Sequence, residues 1–91
     1  MDLGLKNKVA LVAGGSTGLG LSVAKRLSRE GARVAICALD DPHLPHAKEE
    51  IIKETGGEVI AIAADVSDVE QAKKFVRNSV AHYGTLDILV N

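Results

Sequence analysis

Eight residues near the start of the chain, Ala13-Gly14-Gly15-Ser16-Thr17-Gly18-Leu19-Gly20, carry its strongest chemical signal. Gly14, Gly18 and Gly20 stand in the spacing G-x-x-x-G-x-G. A glycine leaving a strand can take a positive φ and turn the chain tightly. A glycine where a helix opens lets a diphosphate approach the backbone closely. The first-turn N–H groups there have no intrahelical partner, and the helix dipole favours an anion. Ser16 and Thr17 add hydroxyl donors. The chemistry indicated is the holding of a dinucleotide phosphate bridge by Gly14, Ser16, Thr17, Gly18, Leu19 and Gly20. The plain alternative is a strand-to-helix turn with no ligand.

A second pattern overlaps the first. Gly15 to Ser22 fits G-x-x-x-x-G-x-S, the spacing of a nucleoside-triphosphate loop. That loop needs a lysine before its final hydroxyl residue to reach the β- and γ-phosphates. Leu21 stands there instead, which excludes the NTPase reading.

Other reactive side chains are few. His43 and His46, near Asp40 and Asp41, fall short of the three or four converging ligands that a metal site needs, so a solvated, proline-stiffened loop is expected and no metal site. Cys37 has no basic neighbour in the pattern and suits a small buried residue. Lys25, Arg26 and Arg29 are expected on a solvated helix face, and His82 in the last turn of a helix.

The elements that position the loop follow from periodicity. Val9 to Ala13 is apolar throughout, as suits a strand buried on both faces. From Leu19 the period lengthens, and Leu19, Val23 and Leu27 predict the buried stripe of a helix stopped at Gly31. Arg33 to Leu39 predicts a second strand, followed by a polar loop over 40–46. Ala47 to Thr55 predicts a helix ending at Gly56-Gly57, with Glu49 and Lys53 spaced as an i,i+4 pair. Val59 to Ala63 predicts a third strand. Ser67-Asp68-Val69-Glu70 matches a capping box with Ser67 as the cap. The helix it opens would bury Val69, Ala72, Val76, Val80 and Tyr83, and Leu86 to Val90 predicts a fourth strand.

The resulting order, βαβαβαβ, predicts an α/β fold: a doubly wound parallel sheet of Rossmann type in strand order 3-2-1-4. The first two helices would cover one face and the third the other. Strand four would then be a bare apolar edge, so residues 1–91 are expected to form the N-terminal part of a single, incomplete domain.

Composition narrows the function classes. In 91 residues, 46% are hydrophobic and 25% charged, which is globular. A net charge of −1 gives no electrostatic footprint for nucleic acid or an anionic membrane. No apolar run approaches the roughly 20 residues that span a bilayer, and no signal-peptide pattern opens the chain. One cysteine cannot form an internal disulfide, so a cytoplasmic setting is expected.

With the glycine spacing placed between a buried strand and an amphipathic helix, the chain resembles the short-chain dehydrogenase/reductase superfamily over essentially its whole length. Two further segments support the resemblance: Asp65-Val66 after the third strand, and Leu86-Asp87-Ile88-Leu89-Val90-Asn91. By resemblance, Asp65 and Val66 would contact adenine, and Asn91 would open the family's Asn-Asn-Ala-Gly motif. The plain alternatives are a helix-capping carboxylate for Asp65 and, for Asn91, a strand-end residue bonded to backbone. Ala13 departs from the family's usual threonine.

The resemblance implies NAD or NADP as cofactor and hydride exchange with a small alcohol or ketone. The positions that choose between the two are Ala38 and Leu39, both uncharged, and Thr17, where NADP enzymes often carry a cation. Asp40 and Asp41 would repel a 2′-phosphate, which leans the choice to NAD. The family's serine and Tyr-x-x-x-Lys pair have no match here: Tyr83, the one tyrosine, has Asp87 four residues on. No catalytic residue is assigned, and the substrate pocket would lie beyond Asn91. Family members are often tetramers, so a homo-oligomer is the expectation for the whole protein. Two other readings remain: a non-catalytic dinucleotide-binding module, and a methyltransferase, whose glycine spacing differs and which would want an acidic residue at Ala38.

Overall fold

The computed structural model of the chain describes residues 4–39 and 42–90. Four strands, β1 (Val9–Ala13), β2 (Arg33–Ala38), β3 (Val59–Ala63) and β4 (Ile88–Val90), alternate with α1 (Gly18–Arg29), α2 (His43–Thr55) and α3 (Val69–Tyr83). All strand pairs are parallel, in the order β3-β2-β1-β4. Ala13 is level with Cys37, and Cys37 with Ile62, so β1, β2 and β3 end together. This is the expected doubly wound arrangement.

Alternate side chains of each strand feed two cores. Ala10 and Val12, with Val34 and Ile36, face α1 and α2, where they meet Ala24, Leu44, Ala47 and Ile51. Val9 and Leu11, with Ala35 and Cys37, face α3, where they meet Phe75 and Tyr83. Burial of β1 and β2 on both sides explains their unbroken apolar sequences. No helix among the described residues is long and apolar enough to cross a membrane.

Four expectations shift, each for a physical reason. The face of α1 against the sheet is Ala24 and Ser28, flanked by Leu21 and Leu27, while Leu19 is 81% exposed. Small residues at the contact let this helix lie close to the strands, and a leucine stripe would hold it off. Helix α2 begins at His43 rather than Ala47, because Pro45 falls in the first turn, where no N–H is required. The predicted polar loop is correspondingly shorter, and Asp40 and Asp41 lie outside the described residues. Asp68 caps α3 in place of Ser67, its side chain accepting from the Glu70 and Gln71 amides. A carboxylate at a helix start gains from the dipole as well as from the hydrogen bonds. Phe75, Ser79 and Tyr83 are the buried positions of α3, and Val69 is exposed, since the two rings bury more surface than the valines would.

The two helices on the first face are also tied by charge. Lys25 is no solvated side chain: its Nζ lies 2.8 Å from Glu50 and 2.9 Å from Glu54 of α2. Glu50 and Glu54 of α2 are thus paired across to α1, and no pair between Glu49 and Lys53 occurs among the described residues. Nearby, Ser28 and Thr55 share a 2.7 Å hydroxyl contact.

Candidate dinucleotide site

The turn after β1 is held by backbone. Gly14 has φ +74, and the Gly14 and Gly15 amides both donate to the Cys37 carbonyl, at 2.8 and 3.2 Å. A side chain at Gly15 would press on Ile36, its Cβ only 2.7 Å from Cγ2, so this buried glycine packs the turn onto β2. Gly18 opens α1 at φ +56 with open space around it. Gly20 is the tightest position: a Cβ there would collide with the Gly14 carbonyl oxygen. Hence Gly14 and Gly18 are required by backbone angle, and Gly20 by close approach. Together they leave the first turn of α1 bare, with Thr17 extended at φ −146 and no side-chain cap over the turn. An unobstructed helix start favours a negatively charged group.

Beside this turn lies a cleft of about 290 Å³ across the ends of the three strands. Gly14 and Ser16 border it from the loop, Ala38 and Leu39 from the end of β2, and Ala64, Asp65 and Val66 from the end of β3. Cys37 lines its floor, fully buried, and burial pushes its thiol pKa up, so the group is inert rather than nucleophilic. Leu39 is 60% exposed and Val66 41%, an unusual exposure for apolar side chains that flank one cleft. Asp65 lines the same cleft. Its Oδ1 accepts from the Ser67 hydroxyl at 2.6 Å and from the Ser67 amide at 3.0 Å. Those bonds hold its carboxyl below the usual carboxylate range. Asp65 therefore does not cap α3; it is a fixed, ionised acceptor at the cleft mouth.

Gly14, Ser16, Ala38, Leu39, Asp65 and Val66 thus converge on one cleft, and Thr17, Gly18 and Gly20 adjoin it through the loop. Leu19 projects from the first turn. Asn91 lies outside the described residues. Cys37, Gly15 and the histidines of α2 were not singled out for this region by their sequence. Cys37 was recoverable, because pairing of β1 with β2 at Ala13 puts its carbonyl level with the turn. His43 and His46 border an adjoining cleft that only the early start of α2 creates.

Tyr83 is placed at the opposite end of the sheet. Its hydroxyl donates to the Val34 carbonyl at 3.1 Å, and burial is the main cause that pushes its pKa up to about 12. No group of three or more metal-ligating side chains occurs among the described residues.

This geometry agrees with comparisons of sequence and structure. A family model described as short chain dehydrogenase matches residues 8–91. Elsinochrome reductase 1 of Elsinoe fawcettii is 44% identical over 87 residues, covering 96% of this chain and 33% of that protein. Glucose 1-dehydrogenase 2 of Bacillus subtilis is 37% identical over 96% of this chain and 34% of its own length. Among solved structures, L-sorbose reductase from Gluconobacter frateurii, complexed with NADPH and L-sorbose, superposes with a TM-score of 0.94 at 34% identity. It covers 100% of this chain, which covers 35% of it. The chain spans about a third of the length of these relatives.

Proposed function

The chain belongs to the short-chain dehydrogenase family, and from that premise we propose that it forms the nicotinamide-dinucleotide-binding part of an oxidoreductase acting on an alcohol or ketone. One observation carries the reading: the cradle at Gly14, Gly18 and Gly20 opens onto a cleft bounded by Leu39, Asp65 and Val66. The fit is physical. A side chain at Gly20 would force the Gly14 carbonyl aside, so the turn exists only with its amides uncovered. Those amides, with the Ser16 and Thr17 hydroxyls, suit a diphosphate. The apolar Leu39 and Val66 suit the two faces of adenine, Ala38 the ribose beside it, and the Asp65 carboxylate an exocyclic amino group. Leu19 would border the bridge on its solvent side, and by resemblance Asn91 would open the family's Asn-Asn-Ala-Gly motif.

When bound, the nicotinamide supplies the hydride chemistry; this chain's residues bind and orient it. Tyr83 takes no part in proton transfer, because its hydroxyl is spent on Val34 at the wrong end of the sheet. NAD is favoured over NADP at neutral pH, since Ala38, Leu39 and Thr17 bring no cation to the ribose and the next two residues are aspartates. The relatives' names as reductases and dehydrogenases support the reaction class. A reducing, cytoplasmic compartment suits the free, buried Cys37.

The decisive experiment is calorimetric titration of the protein with NAD and NADP. Saturable binding of either, with a rise in melting temperature, is the expected result. Absence of binding by both would end the proposal. Binding without oxidation or reduction of any alcohol or ketone would leave a non-catalytic dinucleotide module.

A further inference from the structure

Asp65 is held at its backbone as well as at its carboxylate. Besides the two bonds from Ser67, its carbonyl accepts the Asp68 amide at 3.1 Å, and its amide donates to Gln71 Oε1 at 2.8 Å. Three of these four bonds stay within the turn that joins β3 to α3. The bond to Gln71 alone crosses from the turn to the helix. The sheet's own hold on this segment ends one residue earlier, where the Ala64 amide donates to the Ala38 carbonyl at 2.9 Å.

Gln71 is the third residue of α3, the place from which a capping box sends a side chain back to the amide of the cap residue. Here the cap residue, Asp68, has given its amide to the Asp65 carbonyl. Gln71 therefore reaches three residues further back and takes the Asp65 amide. An N–H group only donates, so the carboxamide must present its oxygen. Gln71 also borders a cleft with Ala63, Leu39, Ala64 and Asp65, and the last three of these line the dinucleotide cleft too.

The amide nitrogen and the side chain of Asp65 leave the same Cα. Fixing the amide plane therefore fixes the direction in which the carboxylate departs from the backbone, and Ser67 then sets its rotation. We infer that Gln71 is a positioning residue for base recognition: by clamping the Asp65 amide it aims the carboxylate at an exocyclic amino group, and so sets how strongly adenine is preferred over a base with a carbonyl oxygen there. The inference rests on the dinucleotide reading of the cleft. Gln71 itself touches no ligand in this scheme.

Calorimetric titration with NAD and with nicotinamide hypoxanthine dinucleotide, whose base carries the carbonyl oxygen, tests the assignment. An ionised acceptor aimed at the amino group favours NAD roughly tenfold or more. Gln71→Met keeps the side chain's length and helix propensity but removes its strong acceptor. The preference for NAD is then expected to shrink about three- to fivefold, the scale of one neutral hydrogen bond. Gln71→Glu keeps an oxygen for the Asp65 amide, and its preference should stay within about twofold of the native one. Its added charge repels both anionic dinucleotides alike. An unchanged preference in Gln71→Met, or equal losses of affinity for the two dinucleotides, overturns the proposal. So does a preference lost as fully in Gln71→Glu as in Gln71→Met. Hydrogen exchange at the Asp65 amide in the ligand-free protein gives a second measurement. Protection in the native chain and Gln71→Glu that disappears in Gln71→Met supports the clamp, and equal exchange in all three refutes it. If the native protein binds neither dinucleotide, the reading of the cleft falls and this inference with it. If it binds both alike, that reading stands and this inference falls alone.

Discussion

At the edge where the strands begin, side chains close the sheet. The Asp87 carboxylate accepts the Val9 amide at 2.8 Å, and the Asp87 amide returns a bond to the Val9 carbonyl. The Tyr83 hydroxyl reaches Val34, and Arg33 lies over the Tyr83 ring at 5.4 Å while donating to Asn7. At the edge where the same strands end, the backbone bonds to itself and side chains withdraw: two glycine amides share the Cys37 carbonyl, and Gly20 fits against Gly14 for want of a Cβ. One edge spends these polar groups on itself, the buried Arg33 Nε alone among them lacking a hydrogen-bond partner. The other leaves amides, hydroxyls and a carboxylate facing a cleft. The contrast teaches that, with identical strands, the capacity to bind resides in which groups remain unspent, and changes at the two edges should separate stability from ligand affinity.

The largest effect is expected from Gly20→Ala, which attacks the open edge at its tightest contact. The methyl cannot coexist with the Gly14 carbonyl, so the turn must open. Overpacking of this kind costs about 1–3 kcal/mol, and dinucleotide affinity should fall by roughly a hundredfold as the amides lose their alignment. Circular-dichroism melting and calorimetry measure the two losses together. An alanine variant that binds normally would break the comparison.

Next is Leu39→Asp, a change at the same edge that adds charge without disturbing the turn. A carboxylate at the end of β2 can accept a ribose hydroxyl and repels a 2′-phosphate. NADP affinity is expected to drop about tenfold with NAD affinity preserved or improved, and melting should hardly move, because Leu39 is mostly exposed. Equal losses for both cofactors would show that Leu39 packs adenine but stands away from the ribose.

Tyr83→Phe probes the closed edge. Loss of the hydrogen bond to Val34 should cost about 1 kcal/mol in denaturant unfolding, with cofactor affinity unchanged. The same variant carries a pH signature. The folded-state pKa of about 12 lies above the ordinary value of 10.0, so the unfolded chain loses this proton first. Stability therefore holds below pH 10 and falls as pH rises from 10 to 12. The phenylalanine variant loses that part of the alkaline slope.

Much of this division was legible in the sequence, and unevenly. Strand boundaries at Val9–Ala13 and Val59–Ala63 followed from unbroken apolar residues, and the glycine turn from its spacing between strand and helix. Helix faces were less legible. Leu19 looks like a core residue by period, yet it points outward because α1 packs through Ala24 and Ser28. That choice depends on how closely helix and sheet approach, which no local pattern encodes. The first turn of α2 was hidden by its prolines, and with it the cleft beside His43 and His46. The closed edge was the least visible: Asp87 and Val9 are 78 residues apart, and only the register of β4 on β1 brings them together.

The smallest effect should come from Ser67→Ala, which leaves every glycine in place and alters only the acceptor at the cleft mouth. Ser67 gives Asp65 two hydrogen bonds, through its hydroxyl and its amide, and alanine removes the first alone. The capping of α3 by Asp68 is untouched, so melting should not change. The hydroxyl is the main cause of the lowered Asp65 pKa, and without it the value moves back towards the ordinary carboxylate range. An adenine amino group needs the ionised carboxylate. In the native chain that acceptor is kept as pH falls, and it is lost only on passing through the lowered pKa. In the variant the loss begins at higher pH. Calorimetry should show about a threefold weaker dinucleotide affinity at pH 7, since one neutral donor is removed from one acceptor, and a larger deficit once pH falls below the ordinary carboxylate value of 3.8. A variant whose affinity tracks the native protein at neutral and at acid pH would mean that Ser67 serves the turn alone, and Asp65 would then belong with the groups that the closed edge spends on itself.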